Sequence, residues 1–248
     1  MREEQNGIGL MTRRLINKIG RPFGINPFAR AFPNPLSQGP VSRQAVFDRI
    51  FATNYWGSQQ SHSGLGSERA FTENYCRELQ ELIRSRDFKS MFDAPCGDLN
   101  WMPDVIMTTG ISYVGGDISA SVVERARHRH PGLEVKIFDI CDDPFPPVDV
   151  WHCRDCLFHL SFDDIRKALL NYLSSQIPYV LLTTHRARWH RNLDVATGGF
   201  RYLDLERPPI NLPPATSYLK DYKFGVDFPR YVGLWPREAV EKALSAWI

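Results

Sequence analysis

Apolar residues recur at helical spacing through the first third of the chain and in short unbroken runs beyond it. Val46, Phe47, Ile50 and Phe51 suit one helix, and Phe71, Tyr75, Leu79, Leu82 and Ile83 suit a second. Between them lies a polar loop, Asn54-Tyr55-Trp56-Gly57-Ser58 through Ser63-Gly64-Leu65-Gly66-Ser67. It sits just ahead of a helix N-terminus, where free backbone N–H groups favour a carboxylate or phosphate. After Arg86 short apolar runs alternate with helical ones, the pattern of a parallel sheet wrapped by helices. Five strands are predicted at Ser90–Phe92, Ser112–Gly115, Glu134–Phe138, Val148–His152 and Tyr179–Thr183. Each is short and rich in β-branched or aromatic residues, as a strand buried on both faces requires. Gly233-Leu234-Trp235 reads as a last strand, with Pro236 opening a C-terminal helix.

Local signals punctuate these elements. Ser121 with Glu124 predicts a capping box, Ser161 with Asp164 a weaker one, and Gly110 a helix end. Crossovers of this length are right-handed, so the expected fold is a doubly wound open α/β sheet with its ligand site at the strand C-terminal ends. The expected organisation is a flexible basic N-terminal arm over 1–40, a helical cap over 41–86 and the core over 87–248.

Composition narrows the class. A chain of 248 residues, 43% hydrophobic and 23% charged, supports a full core without staples. Its five cysteines are odd in number and scattered, which points to a reducing, cytoplasmic setting rather than a disulfide framework. No run approaches the roughly 18 apolar residues of a spanning helix. The net charge of +2 is too small to suggest nucleic acid, but residues 1–40 carry six basic side chains against Glu3 and Glu4. Within residues 8–30 these interleave with Ile8, Leu10, Met11, Leu15, Ile16, Ile19 and Phe23. The stretch reads first as a loosely ordered arm, with peripheral contact to an anionic membrane surface or a partner, or an organelle transit peptide, as alternatives.

The chemistry-bearing residues fall at strand ends. The first strand runs into Asp93-Ala94-Pro95-Cys96-Gly97-Asp98-Leu99-Asn100-Trp101-Met102, and the second ends at Gly115-Gly116-Asp117. Asp93 and Asp117 lie 24 residues apart, near the spacing of a carboxylate that grips ribose hydroxyls, and Asp139 follows 22 residues later. A dinucleotide needs three spaced glycines, but Pro95 and Leu99 stand where small residues belong, so that fingerprint fails. Acids at three successive strand ends suit a ribose, an adenine amino group and a positive charge better than a pyrophosphate. His152-Cys153-x-x-Cys156-x-x-His159 also invites a zinc or thiol-redox reading. Alternate strand residues face opposite ways, so His152 and Cys153 do not easily reach one ion, and no metal is expected.

Taken together, Trp56-Gly57-Ser58, Ser63 to Ser67, the turn at 93–102, Gly115-Gly116-Asp117-Ile118, Cys153 to Ser161 and Gly198-Gly199-Phe200-Arg201 resemble a known family. They resemble class I methyltransferases dependent on S-adenosylmethionine (SAM), within them a bacterial subgroup with an Asp-x-Pro-Cys-Gly-Asp-x-x-Trp-Met turn. The resemblance implies a Rossmann-like, mostly parallel seven-stranded sheet. It implies that Asp93, Pro95, Cys96, Gly97 and Trp101 line the methionine half of the cofactor and that Asp117, with Ile118, takes the ribose. Asp139 and Ile140 would face the adenine, with Arg154 and Phe158 completing the cofactor site. Trp56, Ser63 and Ser67 would meet the acceptor, and Arg186, Arg188 and Arg201 an anionic one. Transfer to oxygen needs a base, for which His159 ranks first, Asp155 second and His185 third.

Relatives of that subgroup accompany polysaccharide synthesis, so the expected reaction is O-methylation of a sugar, glycan or related small molecule. N-methylation of an amino-sugar or amino-alcohol, or a cofactor-binding module without turnover, are the alternatives. A nucleic-acid acceptor is disfavoured, because the core has no basic stripe and no Asn-Pro-Pro-aromatic tetrad.

Overall fold

The computed structural model describes residue 19 and residues 31–37, 41–186, 190–221 and 229–247. Almost all of the stretch over 8–30, and Arg188, therefore lie outside the described residues. The strands are β1 (Ala31–Phe32), β2 (Ser90–Asp93), β3 (Ser112–Asp117), β4 (Glu134–Ile137), β5 (Val150–Cys153), β6 (Tyr179–His185), β7 (Phe200–Arg201), β8 (Ser217–Lys220) and β9 (Arg230–Pro236). The helices are α1 (Arg43–Ala52), α2 (Arg69–Arg86), α3 (Met102–Thr109), α4 (Ala120–Arg129), α5 (Phe162–Ser174) and α6 (Arg237–Ala246).

Seven strands form one sheet in the order β4-β3-β2-β5-β6-β9-β8. The first five run parallel, β9 is antiparallel to β6, and β8 is antiparallel to β9. The expected mostly parallel, doubly wound sheet is what forms. The chain leaves β2 towards β3 and β4 on one side and later fills the other with β5 and β6. The strand order thus reverses beside β2, and a crevice opens there at the carboxyl ends.

Alternation along the strands divides the core in two. Met91, Val150, Leu181 and Leu234 pack on one face with Tyr75, Leu79 and Val105. Their chain neighbours Phe92, Trp151, Leu182 and Trp235 pack on the other with Leu169 and Tyr172. Helix α2 contributes Tyr75, Leu79, Leu82 and Ile83 to the first cluster.

Several local readings change. Ser121 and Glu124 form no capping box, because α4 starts at Ala120 with Ser119 as its cap, and the Ser119 hydroxyl reaches Asp48. The Ser161 cap does form, with its hydroxyl accepting from the Asp164 N–H at 3.1 Å, and Gly110 ends α3 at φ 69°. Strand β6 runs two residues past its predicted end, placing His185 within the strand rather than after it. Strand β1 pairs with β7, so residues 31 and 32 of the expected arm belong to the folded unit. Strands β1, β7 and β8 escape the hydrophobic pattern because two are two residues long and β8 lies at the sheet edge. Among the described residues no helix is long and apolar enough to cross a membrane.

Candidate active site

The crevice is an open cleft above the ends of β2, β3, β4 and β5. Its floor is the turn after β2. Gly97 adopts φ 58° there and donates its N–H to Asp117 Oδ2 at 3.1 Å, and an added Cβ would stand 2.3 Å from Ser63 Oγ. Glycine at this position lets the polar loop dock on the turn. Ser63 Oγ accepts from the Asp98 N–H at 3.2 Å, and the Ser61 hydroxyl donates to the buried Asp98 carboxylate at 2.7 Å.

Asp93 ends β2 inside a buried chain of side chains. His152 Nδ1 lies 2.6 Å from its Oδ1, the Tyr113 hydroxyl donates to its Oδ2 at 2.8 Å, and Tyr75 meets His152 Nε2 at 2.8 Å. Tyr75, His152, Asp93 and Tyr113 thus form one continuous buried hydrogen-bonded chain. Both nitrogens of His152 are thereby engaged, which removes it from any zinc set. Asp117 ends β3, with Oδ1 accepting from the Ser119 N–H at 3.0 Å and Oδ2 from Gly97. Burial pushes this carboxyl up to about 6, against the pull of those two N–H groups. Each of its oxygens keeps a lone pair for a further donor.

Asp139 lies just past β4. Its Oδ1 accepts from the Cys141 N–H at 2.9 Å, and its Oδ2 meets Arg43 Nε at 3.0 Å. Arg43 also pairs with Asp142 and, at 3.0 Å, with Asp164, so it lashes α1 across this end of the cleft. Beside it Phe47, Phe138, Ile140, Cys141 and Leu160 make an apolar slot.

The far wall follows β5. Arg154 is held by a two-pronged pair with Asp221, at 3.0 and 2.8 Å, and lies over the rings of Tyr75 and Trp101. Asp155 stands at φ 54° with its carboxylate 3.1 Å from Arg230. His159 Nδ1 lies 2.7 Å from the Gly199 carbonyl oxygen, which accepts only, so Nδ1 carries the hydrogen and Nε2 presents a lone pair. Burial drives the imidazole down to about 4, against the stabilising Gly199 carbonyl. Its ring leans on Trp56, with centroids 5.1 Å apart.

Of the residues singled out from sequence, Trp56, Ser63, Ser67, Asp93, Pro95, Cys96, Gly97, Trp101, Asp117, Ile118, Asp139, Ile140, Arg154, Asp155 and His159 line this one cleft. Three do not. His185 is buried between Phe158, Phe200 and Tyr202, with Nδ1 accepting from the Leu203 N–H, so it has no route to a substrate. Phe158 points into the same aromatic cluster instead of the cleft. Arg201 is fully buried over Phe162 and donates to the Leu160 carbonyl, so it meets no acceptor from solvent. Arg43 lines the cleft without having been read from sequence, and His152, weighed there only as a metal ligand, lines it too. Arg43 lies 96 residues from Asp139, and no local signal marks such a pair.

The same architecture occurs in solved structures. Magnesium protoporphyrin IX methyltransferase from Synechocystis PCC 6803 with bound SAM superposes at a TM-score of 0.57 and 11% identity, over 79% of this chain and 98% of that one. Human N-acetylserotonin methyltransferase in complex with SAM gives 0.58 at 13% identity, over 82% of this chain and 62% of that one. The fold is that of class I methyltransferases. No protein-family profile matches the chain, and no curated protein matches it.

Proposed function

We propose that the protein is a SAM-dependent methyltransferase acting on a hydroxyl group of a sugar, glycan or related small molecule, with His159 as proton acceptor. The observation that carries the reading is the meeting, in one cleft, of acids from three successive strand ends with an imidazole held in a single tautomer. The residues fit the cofactor. Phe138, Ile140 and Leu160 offer an apolar slot to a purine, Asp117 has lone pairs for a ribose diol, and Asp93 sets a buried carboxyl group at the methionine end. The two lining arginines are both tied to carboxylates, so the cleft favours a cation. Bound SAM supplies a methyl group already activated on a positively charged sulfur.

The chain's own residues do the rest. Trp56 and Trp101 wall the cleft and exclude water, and Trp56 gives a sugar face a flat surface. His159 Nε2 faces the acceptor and takes its proton as the bond forms. Asp155, fixed by Arg230 and by its N–H on Thr183 Oγ1 at 2.9 Å, orients the acceptor. The bacterial subgroup with the Asp-x-Pro-Cys-Gly-Asp turn fits residues 93–102 and favours polysaccharide chemistry. Of the arginines expected to meet an anionic acceptor, Arg201 is buried and Arg186 does not line the cleft, so neither supports one.

A second reading, N-methylation of an amino-sugar or amino-alcohol, draws on the low basicity of His159, held at about 4, because an amine arriving as the free base needs little help. Incubation with methyl-labelled SAM and paired panels of sugars and amino-sugars tests both. The O-acceptor reading expects labelled ether products and a loss of roughly 10²–10⁴ in rate for His159→Gln, the contribution of a positioned base. Labelled amines with little loss in that variant establish the second reading. Binding without any product leaves a cofactor-binding module.

A further inference from the structure

The tight turn that holds His159 is itself held from outside the cleft. Ala196, Thr197, Gly198 and Gly199 close it, with Gly198 at φ 93° and the Gly199 N–H donating to the Ala196 carbonyl at 2.9 Å. It grips His159 twice, because the Gly199 carbonyl accepts from Nδ1 and the Gly198 N–H donates to the His159 carbonyl at 2.7 Å. The Thr197 hydroxyl docks the turn on the start of α5, accepting from the Ser161 N–H at 2.9 Å and donating to Asp164.

The third hold comes from a segment more than 160 residues away in the chain. The buried Asn34 side chain donates to the Gly198 carbonyl at 2.9 Å and accepts from the Leu36 N–H at 2.9 Å. Ala31 and Phe32 pair with Arg201 and Phe200. At Gly199 the fit leaves no room for a side chain, since an added Cβ would stand 2.3 Å from Val195 Cγ2 and 3.0 Å from the Phe32 carbonyl oxygen.

We infer that Ala31–Leu36 is a strap that fixes the tautomer and aim of His159, with Asn34 as its positioning residue. The strap fixes the Gly198 peptide, the Gly199 carbonyl is thereby aimed at Nδ1, and Nε2 is left facing the cleft. A carboxylate does this for the histidine of many catalytic triads; here a backbone carbonyl does it, braced by an amide. The catalytic meaning of the strap rests on the reading of His159 as proton acceptor, whereas its effect on the tautomer does not.

Long-range proton–nitrogen NMR on the full chain with labelled histidine, at neutral pH, reads which ring nitrogen of His159 carries the hydrogen. Wild type is expected to show the Nδ1–H form alone. Asn34→Asp, which keeps the acceptor for Leu36 but replaces the donor to Gly198, and Asn34→Ala, which adds no charge, are expected to lose that purity and show both tautomers. Titration of the same samples with S-adenosylhomocysteine is expected to stay within about threefold of wild type, because Asn34 does not line the cleft. A single unchanged tautomer in both folded variants overturns the strap whatever the titration gives. No binding to wild type, with tautomers still mixed in the variants, overturns the functional reading and leaves the strap standing. In the wild-type chain the Gly198 amide is expected to exchange with solvent as slowly as the sheet amides. Exchange at the rate of an open loop overturns the inference without any variant.

Discussion

Asp117 is the residue on which burial and chemistry pull hardest against each other. Its ordinary carboxyl value is 3.8, and burial raises it to about 6 in the fold. A raised carboxyl favours its neutral form when folded, so this group's contribution to stability is complete below 3.8 and is lost as pH rises through about 6. Thermal unfolding of wild type compared with Asp117→Asn checks the sign. Wild type is expected to lose stability relative to the variant between about pH 4 and pH 7, whereas a difference that does not change with pH contradicts the assignment. On the proposed role of Asp117 the same ionisation is expected to govern the ligand. Protonated Asp117 is a poorer acceptor for a diol, so affinity for adenosyl compounds is expected to fall as pH drops below about 6, measured by titration across that range.

At the scale of elements, the floor of the cleft is one fitted pair, the turn at 93–102 and the Ser58–Ser67 loop. Gly97→Ala places a methyl group against Ser63 Oγ and forces alanine into φ 58°, which is expected to destabilise the protein by about 1–3 kcal/mol. Adding Ser63→Ala removes the 2.3 Å contact but leaves Ser63 Cβ at 3.1 Å and the backbone strain, so the double variant is expected to recover part of the loss. Strict additivity in denaturant unfolding would contradict the fitted contact. This floor was legible in the sequence, because glycine, proline and strand-end acids leave local marks. Asp93, Gly97, Asp117 and His159 all fell in one cleft from spacing and resemblance alone. The errors share a cause. His185 follows a hydrophobic run whose end cannot be read to within two residues, and one residue decides which face it presents. Arg201 reads as a surface cation, and burial against Phe162 is a tertiary event with no periodic signature. Asn34 and Arg43 act on partners 164 and 96 residues away, and local pattern is silent at that range.

Across the whole molecule, two clasps tie the chain ahead of the sheet to the cleft. The strap reaches the His159 end, and Arg43 joins α1 to Asp139, Asp142 and Asp164 at the apolar end. Arg43→Ala leaves three carboxylates facing one another without their shared cation and is expected to cost about 1–3 kcal/mol. Helix α1 should then open, and trypsin should cleave at the exposed Arg49 faster than in wild type. Equal cleavage rates would show that apolar packing of Val46, Ile50 and Phe51 holds the helix without the clasp.

The central claim is that this cleft binds an adenosyl cofactor through the acid at the end of β3. Calorimetric titration of wild type and Asp117→Ala with S-adenosylhomocysteine, with NAD as the comparison ligand, tests it most directly. The account predicts one site for S-adenosylhomocysteine, no site for NAD, and a loss of about 1.5–3 kcal/mol in the variant, the worth of hydrogen bonds to a charged group. No binding to wild type, or equal binding to wild type and variant, would contradict it.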